Sequence, residues 1–160
     1  MVFITRFILI VLATYTGTTL LAPLSILGWD IDLGLLALVL ISGYASPRAT
    51  VGWGAFSGFL LDCLNPGWMG AGIVARSTAG FFLSSMREKL NIEHPFLDGL
   101  VIFAAGVIDR SVYIVLTKYR VNFIFMLWRY IIPSALYTAI FAIVIIILYR
   151  VRSFLKPRLA

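Results

Sequence analysis

The chain has 160 residues, of which 61% are hydrophobic and only 12% charged, with a formal net charge of +6. Its mean hydropathy of +1.01 lies far outside the roughly half-apolar composition of a soluble domain, so the chain reads as an all-α, polytopic membrane protein. The apolar runs are continuous and do not alternate, which excludes a closed β-barrel and leaves helices that satisfy their own backbone amides.

A hydrocarbon core of about 30 Å takes about 20 apolar residues per helix. Six spans are predicted in one membrane domain covering residues 1–160, and the first runs from Phe7 to Leu27. Arg6 ahead of an apolar stretch resembles the start of a signal peptide, but Leu21, Pro23 and Leu24 stand where a cleavage site wants alanines, so this span is expected to stay. Ala13 and Gly17 form a small-xxx-small step on it.

The second span, Ile31 to Ala45, and the third, Thr50 to Leu64, are short. At 1.5 Å per residue the second reaches only about 22 Å, so it must borrow flanking residues, thin the bilayer or end at a protein-lined crevice. At least one irregular helix is expected in this pair. The fourth span is Met69 to Met86, the fifth Phe96 to Leu116 and the sixth Phe125 to Tyr149, with breaks at Gly28, Ser46, Asn65 and Glu93 in the turn-forming strings GWD, SPR, NPGW and EHP.

On the third span Gly54, Gly58 and Asp62 recur every four residues and form one stripe of small residues ending in a carboxylate. Gly72, Arg76 and Gly80 do the same on the fourth, and the NPGW hairpin makes the two helices neighbours. Arg76 and Asp109 lie at similar depth, each about 10 Å inward from the outer end of its helix. With Arg110 and Arg129 they predict an outer-third cluster of Asp62, Arg76, Asp109, Arg110 and Arg129. Charges within spans are costly and are functional candidates. The alternative is that Asp62, Arg76 and Asp109 only lock helix packing through buried ion pairs. Asp98 falls in the first turn after Pro95, where the helix dipole and Arg87 or Lys89 account for it without a site.

Basic residues set the orientation. With a cytoplasmic amino terminus, the inner side collects Arg6, Arg48, Arg87, Lys89, Arg150, Arg152, Lys156 and Arg158, and the outer loops keep only Lys118 and Arg120. The first outer loop carries Asp30 and Asp32. Both termini are therefore expected in the cytoplasm, and the positive charge is a topology signal, not a nucleic-acid footprint. The basic tail RVRSFLKPRLA reads as a stop signal for insertion, with contact to anionic lipid or a cytoplasmic partner as the other reading.

Few residues suggest catalysis. His94 is the only histidine and Cys63 the only cysteine, so neither a His-based metal site nor an internal disulfide can be assembled from conventional parts, and Cys63 reads as a small packing residue. No phosphate loop occurs, and no cofactor is expected.

The six-span length, the third-span pattern GxxxGxxxD opening into NPGW, and the Gly- and Arg-bearing fourth span resemble the bacterial rod shape-determining protein MreD family. That resemblance implies a nonenzymatic component of the cell-elongation machinery in the cytoplasmic membrane. It implies association with MreC, and through it with MreB, a RodA-type glycosyltransferase and a class B penicillin-binding protein. The implied fold is similar to the substrate-binding subunits of energy-coupling-factor vitamin transporters. Gly54, Gly58 and Asp62 match the family pattern, and Gly72, Arg76 and Gly80 extend the stripe expected to pack helices or wall a groove for a partner helix.

Two rivals belong to other classes. A vitamin-binding transport subunit shares the six-span plan, but the brief outer loops supply no obvious lid and few polar groups are expected to face a ligand. An aspartyl intramembrane peptidase would use Asp62 and Asp109, and VIDRSV resembles one motif of the lipoprotein signal peptidases. That chemistry needs two carboxylates sharing a proton, which nearby arginines oppose, and the family's second aspartate motif is missing.

Overall fold

The computed structural model describes residues 2–19, 31–89, 95–117 and 122–155. The end of the first predicted span, the breaks at Gly28 and Glu93, Asp30, His94, Lys118, Arg120, Lys156 and Arg158 lie outside the described residues. Among the described residues the structure is all-helical, with no strand. The helices are α1 (Val2–Thr19), α2 (Leu33–Ser42), α3 (Pro47–Leu64), α4 (Ala71–Lys89), α5 (Pro95–Thr117), α6 (Phe123–Met126) and α7 (Ile132–Leu155). A 3₁₀ turn, Pro66–Trp68, connects α3 to α4.

Leu97–Thr117 and Phe123–Ile145 are long and apolar enough to cross a membrane, whereas Phe3–Thr19 and Leu33–Ser42 are apolar but shorter. Only 33% of each of the two long stretches is buried within the protein, unlike the core helix of a soluble domain. The molecule inverts the usual distribution: Ile124, Trp128 and Phe81 are 71%, 70% and 64% exposed, while Arg76 is 1%, Asp62 2% and Asp109 6%.

The short second helix is the axis of the fold. Its sequence LGLLALVLIS is apolar on every side, so it has no face to offer water and is buried all round except at Leu40 and, partly, at Leu33. It packs against α1, α3, α4, α5 and α7. Ile10 of α1, Leu83 of α4 and Ile102 of α5 join its Leu38 and Val39 in the apolar core. Asp32 caps its start, accepting a bond from the Leu35 backbone N–H at 2.9 Å.

Contacts at the helix ends show how the chain alternates. Arg6 at the start of α1 donates to the Tyr44 carbonyl just past α2, at 3.0 Å. Arg87 near the end of α4 pairs with Asp98 in the first turn of α5, at 3.5 Å, which is the terminal role its position predicted.

The irregular helix is not in the second or third span. Helix α3 is regular over 18 residues and starts earlier than predicted, because Pro47 is well placed in a first turn. The irregularity sits between α6 and α7, where Leu127–Ile131 form a π-helical turn. Two residues beyond it, Pro133 lacks an N–H, and in an unbroken α-helix its ring would press on the Arg129 carbonyl. The wider turn, with the Ile132 N–H bonded to the Leu127 carbonyl, relieves that crowding.

Candidate functional site

The seam between α3 and α4 comes first, because it holds most of the predicted site residues. A Cβ on Gly54 would lie 2.5 Å from the Arg76 carbonyl oxygen, and one on Gly58 would be driven into the Gly72 carbonyl. A Cβ on Gly72 would collide with the Asp62 carboxylate, and one on Gly80 would sit 3.0 Å from the Thr50 carbonyl oxygen. The small residues thus bring the two backbones into contact, and the stripe is used up within the chain. The packing role expected of Gly54, Gly58, Gly72 and Gly80 is what the geometry supports; a groove for a partner helix along this stripe is not left open.

Asp62 belongs to this seam and not to the charged cluster. Its Oδ2 accepts from the backbone N–H of Gly70 at 2.9 Å and of Ile73 at 3.1 Å, and its Oδ1 accepts from Gly72 at 2.8 Å. These are the amides that the start of α4 leaves without intrahelical partners, and the positive end of the helix dipole suits a carboxylate. The turn that delivers them needs Gly70, whose φ of 101° is in the left-handed region. Asp62 caps α4 across the NPGW hairpin, and the expected pairing with Arg76 is replaced by these three backbone bonds.

Arg76 is the centre of a separate network. Its Nη2 pairs with Asp32, its Nε donates to Asp109 Oδ2 at 3.2 Å, and its Nη1 donates to Ser57 Oγ at 3.2 Å. Thr14 Oγ1 lies 3.4 Å from Ser57 Oγ, and Thr138 Oγ1 accepts from the Asp32 N–H at 3.3 Å. One guanidinium therefore ties together α1, α2, α3, α4, α5 and α7. Burying it is tolerable because two carboxylates and a hydroxyl meet its donors. Gly34 keeps the way clear: a Cβ there would come within 2.8 Å of Arg76 Nη1 and 3.0 Å of Thr14 Oγ1.

Asp32 is the residue that the sequence reading placed elsewhere, as an outer-loop charge. The signal that marks it is local: an aspartate immediately before an apolar run is a helix cap, and a cap on the buried helix faces the bundle interior. Arg129 is corrected in the opposite direction. It is exposed on the π turn, with its guanidinium carbon 5.9 Å from the Phe125 ring centroid.

A cavity of about 600 Å³ lies beside the Arg76 network, lined among others by Asp32, Arg76, Asp109, Arg110, Tyr113 and Tyr130. Arg110, predicted in the cluster, therefore stands on the wall of this space. The short second helix starts there, with Ile31 to Gly34 contributing to the lining, which agrees with the protein-lined crevice, one of the three alternatives its short length left open. The expectation of few polar groups facing a ligand does not fit: Arg76, Asp109 and Arg110, expected as an intramembrane cluster, line the chamber together with Asp32.

Asp109 meets Arg76 Nε with both carboxylate oxygens, Oδ2 accepting its N–H at 3.2 Å and Oδ1 lying at 3.2 Å in the same ion pair, fully buried and without any further hydrogen-bond partner. Among the described residues no group of three or more histidine, cysteine or carboxylate side chains could hold a metal ion. The two aspartates named for a peptidase have different partners, one capping α4 and the other paired with Arg76. Compared with protein-family models, curated proteins and solved structures, the chain matches none.

Proposed function

We propose that the chain is a six-span protein of the bacterial cytoplasmic membrane with both termini in the cytoplasm, acting as a nonenzymatic docking component of the cell-elongation complex in the manner of the MreD family. Its partners are then MreC and, in a larger assembly, MreB, a RodA-type glycosyltransferase and a class B penicillin-binding protein. The membrane part of this reading is supported by buried charges beneath an apolar exterior, which suits hydrocarbon as solvent. The end contacts Arg6 to Tyr44 and Arg87 to Asp98 agree with helices that cross in alternating directions.

The observation that carries the docking reading is the GxxxGxxxD, NPGW and Gly/Arg unit, which packs as one preorganised hairpin. Such a hairpin is a rigid scaffold on which apolar outer helix faces are held for a partner. Since the glycine stripe is internal, docking falls to those outer faces. The test is light crosslinking of native membranes followed by purification through a carboxyl-terminal tag. A single-span protein with a large extracytoplasmic part, together with wall synthases, is the expected catch.

A second reading is favoured by the cavity: a substrate-binding subunit of a vitamin transporter, whose ligand would occupy the chamber beside Arg76. ATPase subunits and a copurifying small molecule in the same experiment would replace the first reading with this one.

A further inference from the structure

We propose that the cleft between α1 and α3 is a side entrance from the bilayer into the chamber, and that it takes a single-chain amphiphile, with the chain in the cleft and a hydroxyl-bearing head in the chamber. The proposal rests on the membrane part of the reading above and on neither choice of partner.

Helices α1 and α3 are held together at one end and parted at the other. At the Arg6 end the ring centroids of Phe3 and Trp53 are 5.0 Å apart, as are those of Phe7 and Phe56, and Trp53 meets Phe56 edge-on at 6.2 Å. Aromatic packing closes the interface there. Toward the NPGW turn, two cavities separate the same helices. The chamber takes Thr14, Gly17 and Thr18 from α1 and Leu61 and Asn65 from α3. A smaller crevice of about 140 Å³ takes Val11, Thr14 and Tyr15 from α1 and Leu60, Cys63 and Leu64 from α3. Thr14 belongs to both.

Helical register explains the division. On α3, Leu61 and Asn65 form one i, i+4 ridge and Leu60 and Leu64 the next; on α1, the ridge of Thr14 and Thr18 stands beside that of Val11 and Tyr15. The chamber side of the cleft therefore offers hydroxyls and an amide, and the crevice side offers aliphatic and aromatic carbon. Polarity changes across Thr14 in the way it changes along an amphiphile. Tyr15, Cys63 and Leu64 are exposed on the outside of the bundle, so in a bilayer the crevice opens where lipid chains lie.

What separates the two cavities is slight. Thr14 Oγ1 lies 3.4 Å from Ser57 Oγ, longer than the roughly 2.5–3.0 Å of an ordinary hydroxyl–hydroxyl bond. Among the described residues it is the hydrogen bond that joins α1 to α3. Parting it strands no charge, because Ser57 keeps its bond from Arg76 at 3.2 Å, and a hydroxyl on the entering head can replace Ser57 as the partner of Thr14.

The test uses the purified full chain in lipid nanodiscs and two photoreactive monoacylglycerols, one with a diazirine beside the glycerol and one with it at mid-chain. Adducts are mapped by peptide mass spectrometry. The glycerol-side probe is expected to mark Leu61 and Ile114 on the chamber wall, and the mid-chain probe Leu60 and Leu64 in the crevice. Cys63→Trp fills the crevice from an exposed position that carries no ion pair. It is expected to remove the chamber adducts while leaving thermal unfolding, and adducts at the outward-facing Leu100 of α5, unchanged. Val11→Trp, on the facing helix, serves if the first variant does not fold.

Absence of chamber adducts in the unmodified chain overturns the proposal, as do chamber adducts that persist in both tryptophan variants, or a reversed pattern with the mid-chain probe in the chamber. Adducts that spare Leu100 as well overturn the membrane reading itself, so the entrance and that reading fail separately.

Discussion

The seam between α3 and α4 and the chamber around Arg76 share a helix, yet they are built on opposite terms. In the seam, backbone meets backbone, a methyl group has no room at Gly58, and both Asp62 oxygens have donors. Around the chamber, one guanidinium gathers the side-chain tips of Asp32, Asp109 and Ser57, and a volume of about 600 Å³ is left beside them. Direct backbone contact fixes two helices with little freedom, whereas a network of side-chain tips can hold helices together while leaving space between them. The first is a means of making a scaffold and the second of making a site.

The widest separation between the two regions is expected from Arg76→Leu. It removes the guanidinium that pairs with both Asp32 and Asp109 and leaves two carboxylates without that partner, a loss of about 3–5 kcal/mol for a broken buried pair. Thermal unfolding in mild detergent, followed by the fraction remaining monodisperse, reads this directly. Retention of wild-type stability would mean that the network does not hold the bundle.

Gly58→Ala attacks the seam instead. The added Cβ would lie 2.5 Å from the Gly72 carbonyl carbon and 2.7 Å from Ile73 Cα, so α3 must move away from α4 at a cost of about 1–3 kcal/mol. Asp62→Ala releases three amides at the start of α4 and is expected to cost about 1–2 kcal/mol, the upper range for a lost helix cap. Gly52→Ala is the control on the same helix: nothing lies within 4 Å of its Cβ. Stability is expected to hold or rise by up to about 1 kcal/mol from helix propensity alone. Equal effects at Gly52 and Gly58 in the same unfolding assay would remove the case for close packing in the seam.

What could be read in advance follows the range of the interactions. The glycine stripes were legible because i, i+4 spacing on a helix is local geometry, and a short hairpin makes adjacent helices neighbours whatever the rest of the fold does. The depth match of Arg76 and Asp109 was legible for a similar reason, since rise per residue converts position into height. Asp62 was misassigned because counting charges ignored the backbone: the amides at Gly70, Gly72 and Ile73 are eight to eleven residues away and already arranged to bind a carboxylate. Asp32 and Arg76 are 44 residues apart, and nothing in either neighbourhood names the other. The chamber was illegible because it is a property of three-dimensional convergence, with walls drawn from nearly every helix.

The π turn at Leu127–Ile131 makes the last helical run two angular frames joined in series. Each residue of an α-helix turns the chain by about 100°, so one residue more in a turn offsets everything before it by about that angle relative to everything after. Phe123–Met126 and Ile132–Leu155 therefore cannot be drawn on one helical wheel. Removing a single residue between them would swing Met126 away from the chamber wall while α7 kept its place against α5. In this segment the count of residues, more than their chemical character, decides what faces inward.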